Sequence, residues 1–294
     1  MTVRKGLKLR LFKKTFVLTP GQVFVYIFMT ALAVITVMPL VYIAVTAFKP
    51  YDELFLFPPR FYVQNPTMDN WKNLIGAFDS SSVPFLRYVL NSLFTTAVTV
   101  VSTIIVSSLA AYGFSKKRIP FKNTLFALVI AALTFPVHVT QIPNYMVVNS
   151  LGLTNTLFAL IIPKIAVAYN LFLMKQFCDP MPDALLEAAR IDGAGEGLIF
   201  FKLVLPMLRP AWATLVVLSF VSNWNDYFSA LVFITDDTKK TLPLILTTLS
   251  DNGSIARAGA ASAGTFLMVM PTILIFALMQ KRVIETMTYS GIKG

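Results

Sequence analysis

The sequence predicts an all-α membrane protein with six transmembrane helices, from its composition, its long apolar runs and the placement of its charges. Of 294 residues, 56% are hydrophobic and 13% are charged, and the mean hydropathy is +0.70. Soluble domains carry about 25% charged residues, so this chain is too apolar to be solvated on all sides. The net charge of +11 does not indicate a nucleic-acid partner, because the basic residues flank apolar runs.

Each predicted span lies in a run long enough to cross the hydrocarbon core, which takes about 20 apolar residues of helix. The first run, Thr15–Phe48, is too long for the apolar region of a signal peptide, and we read it as a retained helix. The polar run Asn149–Asn155 divides the third span from the fourth. The six spans of a single transmembrane domain, residues 1–294, fall at about 20–47, 87–114, 122–147, 156–177, 207–234 and 258–280.

Lysine and arginine are concentrated on one side of these spans, in the N-terminal tail, around 116–122, around 175–209 and near the C-terminus. The positive-inside rule therefore predicts that both termini are cytoplasmic. The longer loops on the other side are Pro50–Pro84, which is rich in proline and aromatic residues, and Asp236–Arg257, which is polar. The first is expected to form a small cap, a docking surface or a plain connector. The second, in which Pro243 and Gly253 are expected to interrupt helical structure, is expected from its residues to be a plain connector.

The most informative segment lies between the fourth and fifth spans, at about 179–206, where charged residues and glycines interrupt the apolar pattern. A short helix is predicted from about Asp183 to Asp192, because proline suits a first turn and acidic side chains suit the N-terminal end of the helix dipole. Gly193 then permits a tight turn. The general alternative is a solvated connector without a further role.

This segment carries the pattern E-A-A, three residues, G, nine residues, I, one residue, L-P, with Leu203 in place of isoleucine. The pattern resembles the signature of ATP-binding-cassette importer permeases. Asn223–Phe233 and Gln280–Gly294 are similar to segments of the second permease of maltose-type sugar importers. The resemblance implies a type I importer permease in the cytoplasmic membrane of a bacterium or archaeon. It further implies that the chain forms half of the path for a di- or oligosaccharide.

The same resemblance implies the residues that couple transport to ATP hydrolysis. In the loop these are Glu187, Ala188, Ala189, Asp192, Gly193, Leu205 and Pro206. At the C-terminus, Ser290, Gly291, Lys293 and Gly294 are expected to contact the ATPase, the alternative being a frayed end. The implied partners are a second, homologous permease, a cytoplasmic ATPase dimer that holds ATP and Mg, an extracytoplasmic solute-binding protein and membrane lipid. Nucleic acid is not an expected partner.

The chain itself is not predicted to be an enzyme or to hold a cofactor. It contains no GxxxxGK[ST] phosphate loop, no GxSxG and no HExxH motif. His138 is the only histidine and Cys178 the only cysteine, which excludes multi-histidine and multi-cysteine metal sites. The ATPase activity is therefore expected in a partner subunit.

Polar side chains inside the predicted spans are candidates for the translocation path, because a charged group at bilayer depth usually faces a cavity or another helix. They are His138, Gln141, Lys164, Asn223, Asn225, Asp226 and Tyr227. Helical spacing places His138 with Gln141, and Asn223 with Tyr227, on shared faces. Interhelical hydrogen bonding is the alternative role. Lys164 is expected either to extend to the interface or to pair with Asp226.

Two other functions remain open at this point. A secondary transporter would need intramembrane carboxylates, and Asp226 is the only acidic residue well inside a predicted span. A permease for a non-sugar solute is the second alternative. An anion path would need several cations at depth, and only Lys164 qualifies.

Overall fold

The computed structural model describes residues 7–11, 14–78, 83–251 and 258–291, with the backbone alone at 7–18, 250–251 and 285–291. Contacts divide the chain into two compact units. The first unit contains Met1–Leu74 and Ala258–Phe266, and the second contains Ile75–Arg257 and Leu267–Gly294. The chain is mainly helical, as predicted.

The first unit begins with an antiparallel hairpin that the sequence did not predict, in which β1 (Leu7–Leu11) pairs with β2 (Lys14–Leu18). Its helices are α1 (Pro20–Thr46), α2 (Tyr51–Leu54), most of α3 (Asp69–Gly76) and the first turns of α15 (Ala258–Gly291). The start of α1 is fixed by a capping box between Thr19 and Gln22, with Pro20 in the first turn.

The segment after α1 folds into a small cap, which was one of its three expected forms. Lys49 is 2% exposed and donates a hydrogen bond to the Arg60 carbonyl at 2.5 Å. The buried Glu53 carboxylate accepts hydrogen bonds from the backbone N–H groups of Gln64 and Asn65 at 3.1 and 3.0 Å. Buried charges are costly unless they are hydrogen-bonded, so these contacts define the path of the loop.

The C-terminal end of α1 is capped by a side chain from α3. The Asn70 amide donates to the carbonyls of Thr46, Ala47 and Lys49, and so satisfies groups that a helix end leaves free. Gly259 makes room for it, because a Cβ at this position would lie 2.0 Å from Asn70 Oδ1. Asn70 therefore approaches the backbone of α15 closely at Gly259.

The second unit is organised around α4 (Phe85–Lys116), which packs against four other helices, Phe158–Ile165, Ala168–Cys178, Arg209–Trp224 and Leu242–Asp251. Hydroxyl side chains at Thr95, Thr99 and Thr103 repeat every four residues on its buried face and allow neighbouring helices to approach closely. The remaining helices are α5 (Lys122–Ala132), α6 (Val137–Ser150), α7 (Phe158–Ile165), α8 (Ala168–Cys178), α9 (Asp183–Ile191), α10 (Glu196–Ile199), α11 (Leu205–Met207), α12 (Arg209–Trp224), α13 (Phe228–Phe233) and α14 (Leu242–Asp251). A π-helical turn, Phe200–Val204, joins α10 to α11, and a short 3-10 turn covers Asp237–Lys239.

Among the described residues, three helices are long and apolar enough to cross a membrane, and the number rises to 6 if each of three bent helix pairs is one span. The long helices are α1, α4 and α15 through Ile284. The bends are 110° between α5 and α6, 44° between α7 and α8, and 76° between the Glu196–Met207 segment and α12. The predicted third, fourth and fifth spans therefore differ from straight helices.

The segment between α13 and α15 contains a packed helix, α14, and is more than a polar connector. Leu242, Leu244 and Ile245 of α14 are buried. Pro243, which we expected to interrupt helical structure, lies instead in the first turn of α14. A backbone N–H in the first turn has no partner within the helix, so proline, which lacks this N–H, is tolerated there. The Asn91 amide of α4 donates to the carbonyls of Thr238 and Lys240, both at 2.9 Å, and fixes the loop to α4.

Candidate functional site

The predicted loop helix is present as α9, Asp183–Ile191, which ends one residue before the predicted boundary. Pro182 precedes it, Asp183 lies in its first turn and Arg190 in its last, so both charges are favourably placed in the helix dipole. Leu186 on its inner face is 1% exposed, whereas Glu187 and Ala188 are exposed. The helix therefore has one face packed on the protein and one face open.

Gly193 ends α9 in a Schellman motif. The Ala194 N–H donates to the Ala189 carbonyl at 2.9 Å, and the Gly193 N–H donates to the Arg190 carbonyl at 3.0 Å. Gly193 has a φ of 80°, in the left-handed region that favours glycine. A Cβ there would have no heavy atom within 4 Å, so the requirement for glycine comes from the backbone.

We expect Gly193→Val to reduce transport per ATP hydrolysed, because valine at this φ would strain or reorient the loop at a cost of about 1–3 kcal/mol. Gly193→Asn should be milder, since asparagine tolerates the left-handed region. Gly195→Val is the matched control, because Gly195 has a φ of −68° and equally open surroundings. Uptake and hydrolysis by the reconstituted complexes are the measurement. Equal coupling in Gly193→Val and Gly195→Val would show that the turn geometry is incidental.

The inner face of α9 belongs to an apolar cluster shared with α4, α8, α10, the π-helical turn and α12. Leu186 packs in this cluster with Ala111 and Tyr112 of α4, Met174 of α8 and Leu215 of α12. Leu203, Leu205 and Ala189 are partly buried against the same cluster. The C-terminal part of the signature pattern therefore anchors the loop. Pro206 lies in α11, just before the 76° bend into α12.

Charged groups at the end of α4 hold the loop through several contacts. Lys116 Nζ lies 3.0 Å from the Asp183 carboxylate and donates to the Asp179 and Met181 carbonyls. Glu196 accepts a hydrogen bond from the Tyr112 hydroxyl at 2.8 Å, and it also pairs with Lys117 and with Arg190. These contacts leave little freedom between α4 and the loop.

Asp179, at the start of the loop, is also anchored. It accepts hydrogen bonds from Ser115 and Lys175, each at 2.7 Å. Burial alone would raise the pKa of the Asp179 carboxyl, but the hydrogen bonds from Lys175 and Ser115 outweigh that effect and lower it. Asp179 is therefore ionised near neutral pH and fixes the C-terminal end of α8 to α4.

The outward-facing residues of the loop have a different character. Among the described residues, Glu187 has no ion-pair partner, and Asp192 is exposed at the end of α9. Ile191 is 86% exposed, an unusual position for a large apolar side chain that lies beside charged residues. Ala188, beside Glu187, adds a small side chain to this open face. The combination of one free carboxylate, one apolar knob and small neighbours is typical of a surface that docks into a partner.

Lys164 and Asp226, which were expected to pair or to remain apart, form an ion pair between α7 and the break after α12. Their side chains are 24% and 17% exposed. The other Asp226 oxygen accepts the Ser229 N–H at 3.0 Å, which caps the start of α13. The Lys164 carbonyl accepts a hydrogen bond from Thr103 of α4.

A small cavity of about 10 Å³ adjoins this ion pair and is lined partly by Asn223, Thr95 and Thr241. It has room for about one water molecule. The Thr241 hydroxyl is buried and has no hydrogen-bond partner within the described part of the chain. Thr95 and Thr241 were missed by the sequence reading. The four-residue repeat of threonines in α4 was the available signal for Thr95.

The other candidate path residues are not joined into this group by any hydrogen bond in the described ranges. His138 and Gln141 share a face of α6 as predicted, with His138 Nδ1 3.4 Å from Gln141 Nε2. The predicted shared face of Asn223 and Tyr227 is wrong, because α12 ends at Trp224.

The amide groups of this region have local hydrogen bonds, which favours the packing role that was the alternative for them. The side chains of Asn223 and Asn225 donate to the carbonyls four residues earlier, at 2.6 and 2.9 Å. Trp224 donates to the Met268 carbonyl of α15. At the C-terminus, Ser290 and Gly291 lie in the backbone of α15, and Lys293 and Gly294 lie outside the described residues.

Comparison with known proteins places these features in a family. Residues 103–288 match the family described as "Binding-protein-dependent transport system inner membrane component". The lactose transport system permease protein LacG of Rhizobium radiobacter is 32% identical over 73% of this chain and 78% of its own. The arabinooligosaccharides transport system permease protein AraQ of Halalkalibacterium halodurans is 30% identical over 90% of this chain and 93% of its own.

The fold is also similar to a solved structure. A chain in the crystal structure of a bacterial ABC transporter involved in the import of the acidic polysaccharide alginate aligns with a TM-score of 0.77. The alignment covers 89% of this chain and 95% of that chain at 22% identity, and so concerns the fold alone. From the family match and the full-length relatives, the chain belongs to the inner membrane components of binding-protein-dependent transport systems.

Proposed function

We propose that this chain is one permease subunit of an ATP-driven importer for a di- or oligosaccharide. It would form half of the path together with a second, homologous but non-identical permease. The observation that carries the proposal is the two-sided loop helix α9. Its inner face is fixed to the ends of α4, α8 and α12, while Glu187 and Ile191 remain available to a partner.

The coupling step follows from these contacts. A cytoplasmic ATPase dimer would bind ATP and Mg, and its closure would move the docked α9. Because Leu186 and the ion pairs of Lys116 and Glu196 hold α9 to the bundle, the movement would reach α4 directly. The spans would then alternate between inward and outward openings, and the docked surface must hold its partner in both states.

A sugar cargo is supported by the relatives, whose names specify lactose and arabinooligosaccharides. An ion-coupled mechanism is disfavoured, because the Asp226 carboxylate is already neutralised by Lys164. The path side chains of this subunit would be His138, Gln141, Lys164, Asp226 and Tyr227, while Asn223 and Asn225 would have a packing role. The other permease would supply most of the sugar contacts.

The membrane would be the cytoplasmic membrane of a bacterium or archaeon, with both termini inside. An extracytoplasmic binding protein would deliver the cargo on the side of the membrane opposite the two termini. The cluster of lysines around Lys116, Lys117 and Lys122 beside the coupling loop supports this orientation.

Reconstitution tests the function directly. The chain, its second permease, the ATPase and the binding protein are placed in proteoliposomes and supplied with labelled solutes. We expect uptake of an oligosaccharide that requires ATP and the binding protein. Amino acids and inorganic anions should not be taken up. Uptake driven by an ion gradient without ATP would contradict the proposal.

The C-terminal residues from Ser290 to Gly294 are proposed to dock between the ATPase subunits. We expect deletion of Ser290–Gly294 to lower the uptake per ATP hydrolysed while membrane insertion stays normal, because glycines allow close backbone approach. Protease sensitivity of the tail in the isolated subunit and in the complex is the second measurement. Unchanged coupling after deletion, or equal sensitivity in both states, would identify a frayed end.

A further inference from the structure

A basic groove lies beside the loop that carries α9, and two of its cations, Arg118 and Lys122, take no part in the contacts described so far. Its wall is formed by the last residues of α4, the turn to α5 and one side of α9. Its volume is about 400 Å³, within the range of small-molecule sites. Five of the nine side chains that line it are cationic: Lys116, Lys117, Arg118, Lys122 and Arg190.

The cations of this basic groove divide into two groups. Lys116, Lys117 and Arg190 are paired with the carboxylates of Asp183 and Glu196. Arg118 and Lys122 form no ion pair with any residue that the structure describes, although Lys122 Nζ lies 3.4 Å from the Ser115 carbonyl. Of the two lining carboxylates, Glu187 has no ion-pair partner in the part of the chain that the structure describes. The groove therefore keeps an excess of positive charge at Arg118 and Lys122.

The position of the basic groove along the helices is that of a membrane surface. The apolar span α4 ends at Lys116 and the apolar helix α5 begins at Lys122, so Arg118 lies where hydrocarbon gives way to headgroups. Phe121, next to Lys122, is 81% exposed and so offers an apolar surface beside the two cations. Among the residues that the structure describes, none of α5 is buried.

We propose that the basic groove binds the phosphate of an anionic phospholipid, with Arg118 and Lys122 as the phosphate-binding residues. Arginine can hold a phosphate through two parallel hydrogen bonds, and lysine adds a point charge. The acyl chains would follow the exposed surface of α5 beside Phe121. Because the opposite wall is α9, a bound lipid would contact the coupling loop itself.

Native mass spectrometry of the full importer complex with added phosphatidylglycerol or phosphatidylcholine tests the site. Arg118→Gln with Lys122→Gln removes the two unpaired cations. Lys202→Gln with Arg209→Gln is the matched control, because it also removes one lysine and one exposed arginine, neither of which lines the groove. Monodisperse elution of both variants establishes that they are folded.

We expect the wild type and the control to retain phosphatidylglycerol over phosphatidylcholine. The Arg118/Lys122 variant should bind it about thirtyfold more weakly, since each cation near the surface contributes roughly a fivefold factor. If inorganic phosphate at the same concentration as the lipid displaces phosphatidylglycerol, the site binds free phosphate. That result would overturn the lipid assignment. Equal loss in both variants would indicate general charge attraction and would also overturn it.

A protein partner is the other outcome of this experiment. If the Arg118/Lys122 variant keeps its lipid but loses the ATPase subunit during purification, the groove docks an acidic protein surface and the lipid proposal is wrong. Lipid binding is measured without transport, so failure of this proposal is distinguishable from failure of the importer assignment.

Discussion

Lys164→Met should destabilise the protein more than any other single change considered, because it leaves the Asp226 carboxylate without its charge partner. Loss of one member of a buried ion pair costs about 3–5 kcal/mol. We expect a value near the lower end, since the two side chains are 24% and 17% exposed. The loss of stability is measured by heating the purified protein in detergent and recording the remaining folded fraction by fluorescence-detection size-exclusion chromatography.

The second variant that makes this prediction decisive is Lys164→Met combined with Asp226→Asn. Asparagine keeps an oxygen that can accept the Ser229 N–H and so preserves the start of α13, while the charge is removed. A well-packed neutral pair is often as stable as the ion pair it replaces. We therefore expect the double variant to regain most of the lost stability. Equal instability of the single and double variants would show that the pair is not the cause.

Glu187→Ala should abolish or strongly reduce uptake while the protein still inserts and folds. Glu187 is exposed and lacks an ion-pair partner in the described residues, and alanine is the best helix former, so α9 itself should be unaffected. Truncating one partner of a charge pair that becomes buried in an interface costs about 2–5 kcal/mol. Uptake and ATPase activity in proteoliposomes, together with the amount of ATPase subunit that co-purifies, are the measurements.

Two further substitutions separate charge from shape at Glu187. Glu187→Gln keeps the length of the side chain and should retain part of the assembly. Glu187→Lys should be worse than alanine, because it places a cation where a cationic partner group is expected. Normal substrate-stimulated hydrolysis and uptake by a well-expressed Glu187→Ala complex would exclude the proposed contact. The same conclusion would follow if the Glu187→Gln, Glu187→Ala and Glu187→Lys complexes had equal uptake and ATPase activities.

The elements set by local chemistry were predictable from the sequence. Pro182 and Asp183 at the start of α9, and Gly193 just after its end, restrict the backbone within a few residues, so α9 was predicted to within one residue. The shared face of His138 and Gln141 depends only on helical spacing, and it was also correct.

Features set by tertiary packing were not predictable in the same way. The polar run around Asn225 ends α12, where helical spacing alone suggested continuation to Tyr227. The 110° bend between α5 and α6 depends on how the helices pack, and the apolar pattern on both sides is the same. The pairing of Lys164 with Asp226 joins positions far apart in the chain, which one sequence leaves undecided.

The unbroken length of α4 has a mechanical consequence. Prolines interrupt α1, α6, α7 and α15, whereas α4 runs for 32 residues without one and is about 48 Å long. Asn91 fixes the N-terminal part of α4 to the loop before α14, and Tyr112 and Lys116 fix its C-terminal end to the loop that carries α9 and α10. A displacement applied at either end is thus transmitted as the tilt of a single stiff lever. If partners bind at both ends of α4, as proposed, each must change the binding free energy of the other by the same amount.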